Sequence, residues 1–121
     1  MTIYRKLLAP AAILLVAAFP PAGSGHHSRA EYSDEVMELS GTLVDVFWRN
    51  PHAGLNVVVM DEDGTEAEWR IETFGSPNLF GRMGVKREHF TIGEQVTISG
   101  RASTRRDLYL LGTNVLFENG M

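Results

Sequence analysis

Leu39-Ser40-Gly41-Thr42-Leu43-Val44-Asp45-Val46-Phe47-Trp48 is the stretch whose reading decides the fold. Leu39, Gly41 and Leu43 alternate with polar residues, and Val44, Val46 and Trp48 then alternate in the opposite phase. Successive side chains of a strand face opposite sides, so a slip of one residue turns the apolar set outward. One extra residue, a β-bulge, restores the facing and bends the strand. A long, bent, glycine-containing strand suits a small barrel, in which one segment serves two sides of a closed sheet. Asn50-Pro51 ends the pattern, because proline has no amide to give the ladder.

The remaining strands follow in both directions of the argument. Leu55, Val57 and Val59 alternate, and Asp61-Glu62-Asp63-Gly64 is a hairpin turn with glycine where positive φ is needed. The third strand places Ala67, Trp69 and Ile71 inward and Glu66, Glu68, Arg70 and Glu72 outward. Ser76-Pro77 opens a short helix, with a capping hydroxyl and proline at the first helical position. Leu79, Phe80 and Met83 form its apolar stripe, and Gly84 stops it. Ile92-Gly93 turns into a fourth strand through Val96 and Ile98 to Gly100; the polar hairpin Ser103–Asp107 leads to a last strand from Leu108 to Phe117. Three strands, one short helix and two strands is the order of an all-β, OB-type five-stranded Greek-key barrel whose helix plugs one end. A small split sandwich is the competing arrangement, and the bent first strand favours the barrel. Trp48 and Trp69, on the inward phase, are expected in the core.

The 121 residues amount to one domain, preceded by an address. Residues 1–25 read as a signal peptide: Arg5 and Lys6, an apolar run from Leu7 to Phe19 broken only by Pro10, then the small residues of Pro20–Gly25. That run is short of the roughly 20 residues of a spanning helix, and no later one approaches it. A periplasmic or secreted chain without a membrane span is expected once the peptide is removed. Cleavage after Gly25 makes His26 the first residue, and cleavage after Ser24 leaves Gly25-His26-His27. Residues 26–35 read as a polar N-terminal arm and residues 36–121 as the barrel domain.

With 44% hydrophobic and 21% charged residues, the composition is globular. There are no cysteines, which excludes disulfides, thiolate metal sites and a cysteine nucleophile. The formal charge of −4 becomes −6 when Arg5 and Lys6 leave with the signal peptide. Such a chain has no global field for nucleic acid or anionic lipid. Arg82, Lys86, Arg87, Arg101, Arg105 and Arg106 make the C-terminal half locally basic, but the outward residues of the third strand are acidic and repel a phosphate backbone. No nucleic-acid partner is expected. Asp61-Glu62-Asp63-Gly64 resembles the start of a calcium loop, but no bidentate glutamate falls at position twelve, so a hairpin turn is the better reading.

Three of the four histidines occupy two short motifs, His26-His27-Ser28 and Asn50-Pro51-His52. A terminal His26 presents its amine and its ring to one ion, with His27 or His52 as a further ligand. That nitrogen set suits Cu(II). Deprotonating the amine costs only about 1–1.5 kcal/mol at pH 7, against metal-binding energies on the order of 10 kcal/mol. A terminus at Gly25 also suits Cu(II), through His27 at position three and deprotonated amides. Opposed to this, a polar arm with two histidines is often solvated and idle. No nucleophile elbow, phosphate loop or carboxylate pair stands out, and Ser76 serves better as a helix cap than as a nucleophile. An enzyme is the weakest reading.

His26-His27-Ser28 after a signal peptide, Trp48-Arg49-Asn50-Pro51-His52, Gly75-Ser76-Pro77-Asn78 and Gly93-Glu94-Gln95-Val96-Thr97-Ile98-Ser99-Gly100 occur in that order. The combination resembles a family of small exported bacterial proteins, domain of unknown function 6152, over essentially the whole mature chain. The resemblance implies an exported, soluble, β-barrel-like protein and brings no catalytic residues. Arg29-Ala30-Glu31-Tyr32 stands where the resemblance implies a more apolar segment. Two functions are carried forward. The first is an exported module that binds a transition metal, copper, through His26, His27 and His52. The second is a metal-free module that holds a periplasmic partner protein or a glycan through Ser76, Asn78, Arg105 and Arg106.

Overall fold

The computed structural model describes residues 31–121. Five strands, β1 (Met37–Phe47), β2 (Gly54–Met60), β3 (Glu66–Thr73), β4 (Gln95–Ala102) and β5 (Tyr109–Phe117), close into a barrel in the order β1-β2-β3-β5-β4. A six-residue helix, α1 (Pro77–Arg82), and a 3₁₀ turn at Arg87–His89 link β3 to β4. The OB-type barrel expected from the strand order is therefore the fold, and the split sandwich is not.

β1 serves two sides of the sheet. Met37–Thr42 pair with β4 and Thr42–Phe47 pair with β2. The register shifts between Leu43 and Asp45, at the slip in the apolar phase. Val44 is the bulged residue and stays exposed, while Val46 beyond it packs against the core. Every neighbouring pair is antiparallel except β3 and β5, whose parallel pairing from Arg70↔Tyr109 to Thr73↔Gly112 closes the barrel.

Leu43, Val57, Ile71, Ile98 and Leu110 are the largest fully buried side chains, one from each strand. Burying each contributes about 1.5–3 kcal/mol. Trp69 is half-buried against this cluster, and Trp48 stands at its edge, its ring 5.8 Å from that of Phe80 and 5.7 Å from that of Phe90. The hairpin turn forms as the sequence predicts: Gly64 has φ of 84°, and the amide of Thr65 donates to Asp63 Oδ1. The cap forms too, with Ser76 Oγ accepting from the amide of Leu79 at 3.3 Å. The plug is only partial. α1 contributes no buried residue, and Leu79 and Met83 remain exposed. Six residues span only about 9 Å, too little to cover a barrel end.

Two glycines are required by close approach. A β-carbon on Gly41 would fall against the carbonyl oxygen of Val58, and one on Gly100 against that of Leu111, in each case far inside van der Waals contact. Both neighbours are backbone atoms of a paired strand and cannot turn aside. Gly41→Ala is expected to destabilise the barrel by about 3 kcal/mol. Gly64→Ala, strained only by its positive φ, is expected to cost about 1 kcal/mol. Equilibrium denaturation checks both; equal losses would show that the contact with β2 does not explain Gly41.

Candidate functional site

The outward face of β3 carries the site. Arg70 and Glu72 lie on one face of the strand, two residues apart. Gly54 of β2 is the register partner of Glu72, so the loop before β2 brings His52 alongside. On the other edge Tyr109, the first residue of β5, pairs with Arg70 and points at the same carboxylate. The arm arrives from a third direction. Tyr32 bridges to Ser103 of the β4–β5 hairpin, and its amide-flanking neighbours are bonded to that hairpin through Ser33 N–H to the Ala102 carbonyl and Thr104 N–H to the Glu31 carbonyl. Arg101 adds donors to the carbonyls of Ser33 and Asp34. Far from packing loosely, Glu31-Tyr32 is a fixed part of the sheet edge, with Tyr32 buried.

Glu72 is the centre. Its Oε1 lies 3.0 Å from His52 Nδ1, and its Oε2 accepts from the Tyr109 hydroxyl at 2.6 Å and the Tyr32 hydroxyl at 3.2 Å. Arg106 stands between this carboxylate and a second one. Its Nε donates to Glu31 Oε1 at 2.6 Å, its Nη2 donates to the Tyr32 hydroxyl at 3.2 Å, and Nη2 lies 3.9 Å from Glu72 Oε2. The guanidinium also lies 3.4 Å above the Tyr109 ring. Ser103 Oγ donates to Glu31 as well. The Glu31 and Glu72 side chains are only 12% and 14% exposed, so these bonds replace water that the carboxylates have lost.

The Glu72 carboxylate accepts from two tyrosine hydroxyls and faces the Arg106 guanidinium at 3.9 Å, an arrangement of donors and positive charge that suits its ionised form. An ionised carboxylate only accepts, so the bond to His52 is made by a proton on Nδ1 and Nε2 is the ring nitrogen turned away from Glu72. Burial raises the Tyr32 phenol above its ordinary range, and the negative charges of Glu72 and Glu31 push it further. Burial and then the bond to Glu72 raise Tyr109 likewise. For Arg106, burial is the largest effect and opposes the charge, but the hydrogen bond to Glu31 together with the interactions with Tyr109 and the Glu31 charge outweigh it and hold the guanidinium above its usual value.

The residues singled out in the sequence are distributed unevenly. His52 and Arg106 meet through Glu72, although the sequence reading assigned them to different functions. Arg106 is turned into the cluster, whereas Arg105 is exposed on the hairpin. Ser76 is occupied as the cap of α1 and Asn78 is exposed on that helix; neither joins the cluster. His26 and His27 lie outside the described residues. Among the described residues no group of three or more His, Asp or Glu side chains is placed to hold an ion. Glu31, Tyr32, Glu72 and Tyr109 were not foreseen; the only local signal was the placing of Glu72 and Arg70 on one outward face.

The raised phenols give a pH dependence with a definite sign. The neutral form is favoured in the folded protein, so this contribution to stability is complete below pH 10, the ordinary tyrosine value, and falls as pH rises beyond it. Denaturation midpoints are expected to decline more steeply above pH 10 in the parent than in Tyr32→Phe; parallel declines would show that Tyr32 is not the group responsible.

The fold is similar to that of Rim1, the mitochondrial single-stranded DNA binding protein of S. cerevisiae. In one crystal form the TM-score is 0.52 at 15% identity, over 69% of this chain and 93% of that chain. In a second form it is 0.52 at 14% identity, over 69% and 92%. At such identity the likeness is one of fold. No curated protein matches the sequence. The model of the family of unknown function DUF6152 matches residues 13–109, and the chain belongs to that family.

Proposed function

We propose that the protein is an exported module that binds a transition-metal ion, copper, through His52 together with His26 and His27 of the arm. The observation that carries this reading is the Glu72–His52 pair. Histidines that ligate metals characteristically give their other ring N–H to a carboxylate, which fixes the tautomer and raises the basicity of the ligating nitrogen. Glu72 stands in that relation to His52 and is itself held by Tyr32 and Tyr109.

The arm supports the reading by its length. The Tyr32 hydroxyl is 3.2 Å from the carboxylate that bonds His52, and His27 precedes Tyr32 by five residues. Five residues reach at most about 18 Å. That reach would let the imidazoles of His26 and His27, and a terminal amine freed by processing, approach the His52 ring. Amine and imidazole donors with no thiolate suit Cu(II), which takes tetragonal nitrogen ligation. The ion would be held or handed on rather than turned over.

Rim1 is a single-stranded DNA binding protein, but its likeness to this chain is of fold alone. Here the exposed Glu66 and Glu68 of β3, beside Asp61, Glu62 and Asp63 of the adjoining turn, would repel a phosphate backbone.

Isothermal titration of the processed protein with Cu(II) is expected to give one site of micromolar affinity or better. His52→Ala should weaken it at least tenfold, and Glu72→Gln by about 10–100-fold while leaving stoichiometry at one. Millimolar affinity, or indifference to both substitutions, would overturn the metal site and leave the metal-free reading through Ser76, Asn78 and Arg105.

A further inference from the structure

The parallel pairing of β3 with β5 stops at Thr73↔Gly112, but β5 runs on to Phe117, paired only with β4. α1 lies across the gap and buries nothing of its own. Between them the barrel holds a cavity of about 260 Å³. Leu55 and Ile71, both buried in the core, form its floor, while the exposed Phe74 and Met83 stand at its outer end, so it runs from the surface to the core. Trp48, Phe80 and Phe90 form an aromatic wall, the Trp48 ring 5.8 Å from Phe80 and 5.7 Å from Phe90.

The polar groups of the lining are few. Thr73 donates to the Ala53 carbonyl at 2.7 Å and Thr113 to the Ser99 carbonyl at 3.1 Å. The side-chain amide of Asn114 is exposed and makes no hydrogen bond among the described residues. None of His52, Glu72, Tyr32, Tyr109 or Arg106 lines the cavity, so it is separate from the polar cluster.

We infer that this cavity is a second binding site, for a neutral bicyclic aromatic molecule. Size sets the class: an apolar cavity of about 150 Å³ accepts benzene, so this one accepts two fused rings. Shape and surface narrow it further, because ring faces and edges around the slot favour a planar aromatic over a flexible chain, which would lose more rotational freedom. With the Thr73 and Thr113 hydroxyls already donating to backbone carbonyls and no charged side chain in the lining, the cavity favours a neutral guest. Core cavities destabilise in proportion to their volume, so an occupant of matching shape stabilises the barrel as it binds.

Titration of the processed protein with 2-naphthol, followed by calorimetry and thermal denaturation, tests the site. One saturable site with a dissociation constant of about 100 µM or tighter is expected, together with a rise in Tm. Octan-1-ol should bind at least tenfold more weakly. Val115→Phe, which sends a ring into the cavity from β5, should weaken 2-naphthol at least tenfold with no loss of Tm. Met83→Trp narrows the outer end of the cavity from the C-cap of α1, and serves if the first variant does not fold. Absence of saturation at millimolar 2-naphthol, octan-1-ol binding as tightly, or unchanged binding in a folded filled variant would each overturn the assignment.

Discussion

Closure of the barrel by four residues of parallel pairing between β3 and β5 is the constraint on which everything else rests. It is the one junction between strands distant in sequence and parallel in direction, and it joins the two core residues Ile71 and Leu110 as register partners. On the outside it sets Tyr109 beside Glu72 and carries the β4–β5 hairpin, with Arg106, to the same spot. Its shortness has the opposite consequence at the other end. Past Thr73 and Gly112 the strands part, the helix is too short to fill the gap, and the aromatic cavity results. Polar cluster and cavity are thus two outcomes of one pairing, above and below the point where it ends.

The polar cluster stands because each costly burial is answered. Two carboxylates that are mostly removed from water share one guanidinium, and the remaining acceptor capacity is met by hydroxyls of Tyr32, Tyr109 and Ser103. Removing a single member would leave a partner desolvated and uncompensated, which is more damaging than never having buried the pair. The arrangement also explains why residues 31–34 are held against the sheet edge. Tyr32 is at once a core residue, a bridge to Ser103 and a hydrogen-bond donor to Glu72. Tyr32 thereby ties the first described residues to the carboxylate that bonds His52.

Features that depend on a few adjacent residues were legible. The phase slip at Leu43-Val44 foretold the bulge, Asp63-Gly64 the turn and Ser76-Pro77 the capped helix, because each is governed by local backbone sterics or by a side chain bonding within three residues. His52 was legible as a candidate from its residue type alone. Glu72 was not. On β3 it falls in the same outward series as Glu66 and Glu68, which are exposed, and nothing in its neighbourhood sets it apart. Its distinction comes from Tyr32, 40 residues before it, and Tyr109, 37 after it. Arg106 was misleading in the same way: beside Arg105 on a polar hairpin it reads as a surface cation, and only the approach of Glu31 turns it inward.

The succession of elements along the chain, the bend in β1, the inward facing of Leu43, Val57, Ile71 and Ile98 and the histidine motifs were determined by sequence alone, since alternation and turn chemistry are properties of short segments. Which outward residues gather into a buried polar cluster, and where the barrel leaves space, was decided only by tertiary structure. Both depend on where strands far apart in the chain meet and where they separate, and a period of two is the same on either side of such a junction.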